Sequence, residues 1–347
     1  MTRGGSLAAA VGVALVAVLL GSSIVVLGVG SVAIPAGDVL DVVARRMRLV
    51  DGAGVTVLTD RIVWELRLPR VLAAAAVGAA LAQCGCVLQA LTGNDLADPY
   101  LLGISSGAAV GAVAALILGW TLPGVPATIG VAVTAFVGGI TALVLVLALA
   151  TGRSGSLPPT RTILAGVAVG QLSGAFTSFV VMVFGGLSGA REVMTWTLGS
   201  FGGVRGPGAW LVCVVTGIAT IALIGSARTL DAFAFGETSA RSLGIPVERA
   251  RWVLFVGCAL LTAVTVAVVG PIGFVGLTVP HIVRLVVGPA HRVLLPLSAL
   301  GGAVLMLWSD TAARSLAPGQ EIPVGVVTAA VGAPVLVFLL RRQARRS

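Results

Sequence analysis

The chain contains no lysine; all 22 of its basic residues are arginine. It has two histidines, one tyrosine and 13 acidic residues among 347, so charged side chains make up only 10%. A soluble domain carries about 25%. Each shortage excludes a chemistry. A Walker-type phosphate loop needs a lysine after its glycines, and this chain cannot supply one. His281 and His291 are too few for a conventional zinc site unless carboxylates complete it, and none lies near them in sequence. Asp310 alone falls near the centre or end of an apolar run, so the buried ionisable residues that ion-coupled transporters use are scarce. The four cysteines, Cys84, Cys86, Cys213 and Cys258, all lie inside apolar runs, where cysteine behaves as a small hydrophobe. Cys84-Gly-Cys86 therefore reads as packing, not as a redox or metal pair. The Gly-rich run 199–208 follows no strand and makes no dinucleotide loop. The formal net charge is +9, but the arginines are scattered over loops, which argues against nucleic acid as a partner. No constellation of nucleophile, base and metal ligand is present, so the chain is read as having no intrinsic catalysis.

What remains is apolar sequence, 57% of the residues. A membrane-spanning helix needs about 20 apolar residues, and about ten such runs are available. Runs such as Leu143 to Ala150 are apolar on every face, which suits helices and not the alternating pattern of a β-barrel. The expectation is an all-α, polytopic protein forming one transmembrane domain over 1–347. Its first span is Leu7 to Ile34, too long for a typical signal peptide. The next is Val71 to Leu91, rich in Ala and Gly, which lets neighbouring helices approach closely. The others cover approximately 101–119, 126–150, 162–184, 209–226, 252–270, 272–288, 293–311 and 323–340. Pro35 to Arg70 is a nearly neutral amphipathic segment, and Gly185 to Gly208 is too polar to cross, with a short helix around Arg191 to Leu198.

Orientation follows the arginines. The tail Arg341–Arg346 is expected in the cytoplasm, and ten spans then place the N-terminus there too. Arg153, Arg161, Arg228, Arg241, Arg249, Arg251, Arg284 and Arg292 fall on the same side. So does the polar island Thr229 to Arg251, which reads as two short helices joined by a tight turn. Glu237 and Arg241 form a favourable i,i+4 pair. Gly244 stands where a helix end wants a left-handed residue, and Pro246 suits a first helical turn. Such an island is either a solvated loop or a docking element. In the fifth span Gln171, Gly174 and Ser178 share one helix face. A polar stripe of this kind either lines a pathway or joins helices.

Several stretches taken together identify a family. They are RLPRVLAAAAVGAALAQCGCVLQALTGNDLADPYLLGISSGA (67–108), MTWTLGSFGGV (194–204), ETSARSLGI (237–245), GPIGFVGLTVPHIVR (270–284), HRVLLPLSALGGA (291–303) and EIPVGVVTAAVGAPVLVFLL (321–340). From Arg67 onward the chain resembles the FecCD-type permeases of bacterial ATP-binding-cassette importers, which serve iron–siderophores, haem and vitamin B12. The resemblance implies a ten-helix permease of the cytoplasmic (inner) membrane. It pairs with a second permease subunit, identical or paralogous, with two ATPase subunits below and an extracytoplasmic substrate-binding protein above. ATP and Mg²⁺ belong to the ATPases, and this chain binds no cofactor. The cargo is a metal chelate. Ferric siderophore is expected because it is the commonest cargo in the family, with vitamin B12 or haem as alternatives. An ion-coupled secondary transporter is the rival from another class.

The resemblance also implies site residues. Glu237, Ala240, Arg241, Leu243, Gly244 and Ile245 match the family's cytoplasmic coupling helices within 229–251. Arg67, Arg70 and Arg314 match outward-facing arginines that meet acidic residues of the binding protein; each could also be a membrane-flanking arginine. Asn94 and Leu96 match a turn that narrows the cytoplasmic exit. The family usually has Asn-Pro-Leu-Ala there, whereas this chain has Asn94-Asp95-Leu96-Ala97. Pro159 and Thr160 match a second gate, with Pro159 at a position that is often polar. The fifth span, with Gln171, Gly174 and Ser178, resembles the main pathway-lining helix.

Overall fold

A computed structural model describes residues 2–30, 32–49, 54–121, 123–152, 155–317 and 320–344. Arg153, Arg345 and Arg346, used above in the orientation argument, and Asp51 of the 35–70 segment lie outside them. Every regular element among the described residues is helical. In chain order the helices are α1 (Thr2–Gly28), α2 (Ala36–Arg46), α3 (Val57–Arg61), α4 (Leu68–Thr92), α5 (Ile104–Leu116), α6 (Ala127–Ala150), α7 (Pro159–Phe184), α8 (Gly186–Thr197), α9 (Gly206–Gly225), α10 (Ala227–Ala234), α11 (Glu237–Ser242), α12 (Val247–Val269), α13 (Val275–Val287), α14 (His291–Ser315) and α15 (Val324–Ala344).

Seven helical stretches among the described residues are long and apolar enough to cross a membrane, and three shorter apolar helices, in α5, α13 and α15, complete the expected ten. The short ones have identifiable causes. The third span is expected at 101–119, but a 3₁₀ turn over Pro99–Leu102 and a left-handed Gly103 (φ 71°) delay α5 until Ile104. Thirteen residues then rise about 20 Å, short of a hydrocarbon core of about 30 Å. The second span departs in the other direction. It does not begin at Val71, because α3, a π-helical turn over Ile62–Arg67 and α4 run on as one helical stretch from Val57 to Thr92. Pro69 supplies no N–H and crowds the carbonyl one turn back, and widening to π geometry just before it accommodates both faults.

The bundle is built around α4. Most of its residues are buried, and α14, α9, α13 and α12 surround it. Small residues make that possible. A Cβ on Gly85 would stand 1.8 Å from the carbonyl oxygen of Gly276 on α13, and one on Gly78 would stand 2.1 Å from that of Gly302 on α14. At both crossings backbone meets backbone, as the Ala- and Gly-rich composition of this span leads one to expect. By contrast, α7 is nearly bare along its length.

Contacts between helix ends fix the topology. Arg314 at the end of α14 reaches Val26 at the end of α1, and Val324 N at the start of α15 donates to Gly199 O in the loop after α8. At the opposite end the start of α14 meets α10, and the start of α12 meets α11. Accordingly α1 starts, and α15 finishes, at the end of the bundle that carries α11. The segment before α4 folds on itself at the other end: Arg45 and Arg46 converge on the buried Asp60, and Arg46 also lies over the Trp64 ring at 5.6 Å.

Candidate functional site

The island 229–251 folds as α10, α11 and the first turn of α12. The second short helix expected after the turn is not separate. It is the beginning of the 23-residue α12, because nothing after Pro246 interrupts helical sequence for six turns. Pro246 sits one place earlier than expected, at the N-cap. Gly244 takes φ 78°. Ile245 N donates to Ala240 O at 3.1 Å and Gly244 N donates to Arg241 O at 2.9 Å. These are the two reversed bonds of a Schellman ending, and Ala240 and Ile245 supply its apolar contact with the core. Ala240 is fully buried, whereas Phe235 and Leu243 project large apolar surfaces, 78% and 69% exposed. Sequence reasoning picked Leu243 and missed Phe235, since an aromatic in an apolar chain carries no sign of its exposure.

Charges bind this element to α12. Glu237 faces Arg241 at 3.8 Å, the expected i,i+4 pair, and Arg241 faces Glu248 at 3.2 Å. All three are well exposed and such pairs contribute little. Glu237 also pairs with Arg251, whose side chain is only 2% exposed. No sequence signal marked Arg251, because its burial depends on elements distant in the chain.

The turn after α4, Asn94–Ala97, is a hydrogen-bonded loop at the same end of the bundle. Asn94 Oδ1 accepts from Leu96 N at 2.9 Å, and Asn94 O accepts from Ala97 N at 3.0 Å, leaving Leu96 exposed. Asp98 Oδ1 accepts from Tyr100 N. Burial pushes the Asp98 carboxyl up to about 6, against the pull of that bond. Asp95, where the family usually has proline, has a partner: Arg284 Nη1 of α13 donates to Asp95 Oδ1 at 2.7 Å. The other arm, Nη2, donates to Gln89 Oε1 on α4 at 2.8 Å. One arginine thus ties α13 to both sides of the turn. The Asp95 side chain is 47% exposed, and a pair this wet contributes about 0–1 kcal/mol. Asp95→Ala is therefore expected to shift unfolding stability by less than about 1 kcal/mol while loosening the turn. Equilibrium unfolding in detergent checks the first point, and cargo leak through sealed proteoliposomes checks the second. A larger stability loss, or an unchanged leak, would contradict this account.

Pro159 opens α7 and Thr160 follows it, exposed. Gln171, Gly174 and Ser178 are all exposed, and a Cβ on Gly174 would meet nothing within 4 Å. Among the described residues their stripe joins α7 to no other helix.

Arg67, Arg70 and Arg314 cluster at the end of the bundle away from α11, but their guanidinium groups turn inward. Arg67 donates to the carbonyls of Leu27 (2.7 Å), Gly28 (3.0 Å) and Val32 (2.5 Å), closing the C-terminus of α1. Arg70 meets Asp310 Oδ2 at 2.9 Å through Nε and Oδ1 at 2.9 Å through Nη2, and Glu321 at 2.9 Å through Nη1. Arg314 donates to Val26 O at 2.8 Å and lies 3.9 Å from Asp310. Neutralising Asp310 and capping α1 within a low-dielectric bundle draws the three cations in. Asp310, noted only as an isolated carboxylate, is the shared partner of Arg70 and Arg314.

Among the described residues, seven helices long enough to cross a membrane and three shorter apolar ones, with a polar double-helix element and a hydrogen-bonded turn at one end, fit a multi-pass membrane protein of the transport-permease class. The comparisons agree. The model of the FecCD transport family matches residues 14–342, and the chain belongs to that family. It is 45% identical over 288 residues to the cobalamin import system permease protein BtuC of Halobacterium salinarum, covering 83% of this chain and 75% of the relative. It is 41% identical over 307 residues to the vitamin B12 import system permease protein BtuC of Salmonella schwarzengrund, covering 88% and 91%. Among solved structures, a putative metal-chelate type ABC transporter in an inward-facing conformation superposes with a TM-score of 0.81 at 28% identity, covering 95% of this chain and 98% of that one. The chain is thus an importer permease of the ABC type.

Proposed function

We propose that this chain is the permease of a binding-protein-dependent, ATP-driven importer for a corrinoid of the vitamin B12 class. The observation that carries the cargo is the 40–45% identity to permeases named for cobalamin or vitamin B12. The sequence-based expectation of a ferric siderophore rested on how common that cargo is in the family, and the relatives favour the alternative. Two permease subunits enclose the pathway, with α7 and its stripe of Gln171, Gly174 and Ser178 along it. Two ATPase subunits dock on α10 and α11 in the cytoplasm, where both termini of the chain also lie. Exposed Phe235 and Leu243 supply apolar contact there, and the Glu237, Arg241 and Glu248 group supplies charge. An extracytoplasmic binding protein docks over the Arg67, Arg70 and Arg314 end. Glu321, half exposed, is the carboxylate that an acidic group of that protein would displace from Arg70. ATP and Mg²⁺ stay with the ATPases, and the chelate is cargo, not cofactor. Closing of the ATPases moves α11, and the turn at Asn94–Ala97 and the step at Pro159–Thr160 open and shut the exit.

The experiment is uptake in a strain lacking its own corrinoid and siderophore importers, supplied with this permease and its ATPase and binding protein. Radiolabelled cyanocobalamin is expected to accumulate. Labelled ferric siderophore and haem are not, and accumulation is expected to stop on ATP depletion while surviving collapse of the ion gradient. Siderophore uptake in place of cyanocobalamin would overturn the cargo, and gradient-driven uptake would overturn the ATP-driven mechanism.

A further inference from the structure

Arg251 is the most enclosed charge in the island, and its contacts spread over several separate pieces of chain. Nη2 pairs with Glu237, the first residue of α11. Nη1 donates to Leu157 O at 3.4 Å, just before Pro158 caps α7. The guanidinium carbon lies 5.7 Å from the centre of the Phe233 ring on α10, and Glu248 of α12 is 3.9 Å away. The neighbouring Trp252 repeats the link, with Nε1 donating to Gly155 O at 2.9 Å. Arg251 Nε has no partner.

A buried arginine with an unsatisfied donor is a poor way to stabilise a helix start. An apolar side chain of similar volume is generally as good or better. What the arginine adds is direction and reach: one planar fork holds several groups in fixed relation. The elements it joins are the proposed docking helix and the segment that leads into Pro159 and Thr160. No other ion pair found among the described residues links α11 to the chain before α7. We propose that Arg251 is a positioning residue that transmits displacement of α11 to the start of α7, and so to the second gate. The inference rests on the docking role proposed above for α11. Glu237 acts as the lever and the carbonyl of Leu157 as the follower. Without the fork, α11 can move while the start of α7 stays still.

The test uses the full transporter, permease with ATPase and binding protein, in proteoliposomes, with ATP hydrolysis and cyanocobalamin uptake measured on the same preparation. With Arg251→Gln the ATPase is expected to co-purify with the permease, and cobalamin moved per ATP hydrolysed is expected to fall at least about tenfold, as for coupled neighbours. Arg251→Lys keeps the charge but not the fork, and is expected to fall in between. Arg292→Gln, an equal charge change at the exposed start of α14 and outside α10 and α11, is expected to leave the ratio unchanged. A wild-type ratio in Arg251→Gln overturns the proposal and makes Arg251 mere packing. Loss of ATPase co-purification in Arg251→Gln, with the ratio unchanged in whatever complex remains, likewise overturns it, assigning Arg251 to docking. If Arg251→Gln fails to fold, Trp252→Phe, which removes the bond to Gly155 and some packing beside Leu157, must lower the ratio in the same sense, and a normal ratio there overturns the proposal too. The docking reading fails separately, if the ATPase co-purifies with a permease whose exposed Phe235 and Leu243 are both changed to Asp.

Discussion

Arg70→Met is expected to cost the folded bundle about 3–5 kcal/mol, the usual penalty for orphaning one member of a buried ion pair. Asp310 is the reason. Its side chain is 3% exposed, and Arg70 supplies three of its close contacts, two of them at 2.9 Å. Without Arg70 the remaining cation is Arg314 at 3.9 Å, a distance that gives no hydrogen bond. The loss is comparable with the whole stability of a marginal protein, so the variant should denature far earlier than wild type in the same detergent. Glu321 contributes little to the penalty, since it is half exposed and returns to water. The paired change Arg70→Met with Asp310→Leu removes both charges and should recover most of the loss. Equal unfolding midpoints for the single variant and wild type would show that Asp310 finds another partner. The same comparison bears on docking. A charge-reversed Arg70 that fails to bind the binding protein counts as a docking result only if the bundle is intact, and Glu321→Gln, which spares Asp310, is the cleaner probe.

Gly244→Val is expected to uncouple the transporter without unfolding it. Gly244 holds φ 78° with nothing around it for a Cβ to strike, so the penalty is conformational and not steric contact with neighbours. An L-residue in the left-handed region costs about 1–2 kcal/mol, and a β-branched one more. The turn would relax by giving up its two reversed hydrogen bonds, and Ile245 would leave its place beside Ala240. Glu237 and the start of α12 would then lose their fixed relation. Cobalamin moved per ATP should fall by about 5–30-fold, the factor that 1–2 kcal/mol represents. Gly244→Asn should retain most activity and Gly244→Ala should lie between, because asparagine tolerates this region better than alanine. The measurement is the same paired assay of uptake and hydrolysis. A valine variant with a wild-type ratio would remove the turn from the coupling path, whatever Arg251 does.

Local chemistry made much of this architecture readable. Gly244 and the Glu237–Arg241 pair were found where expected, because helix endings and i,i+4 pairs involve neighbours in sequence. The Ala- and Gly-rich second span announced its close crossings for a similar reason: small residues in a membrane helix have little other use. The partners that Arg67, Arg70 and Arg314 find within the chain were not legible. Nothing local says that Arg67 turns to the end of α1 or that Arg70 finds Asp310, 240 residues away. Arg251 was passed over among loop arginines, since its enclosure comes from α10, α11 and the approach to α7 together. Asp95 stood out only as a departure from the family's proline, and its partner, Arg284 of α13, lies 189 residues away.

By itself, then, the sequence determined the solvent this protein lives in, the order of its main apolar helices and its family. These follow from composition, from apolar run length and from motifs read within a few residues. Only the tertiary structure decided which charges are paired, which face of α7 is open, and how α11 is tied to the segment before α7. Those depend on distances between residues far apart in the chain, and in a bundle of low dielectric a buried charge is governed by the partner the fold brings to it.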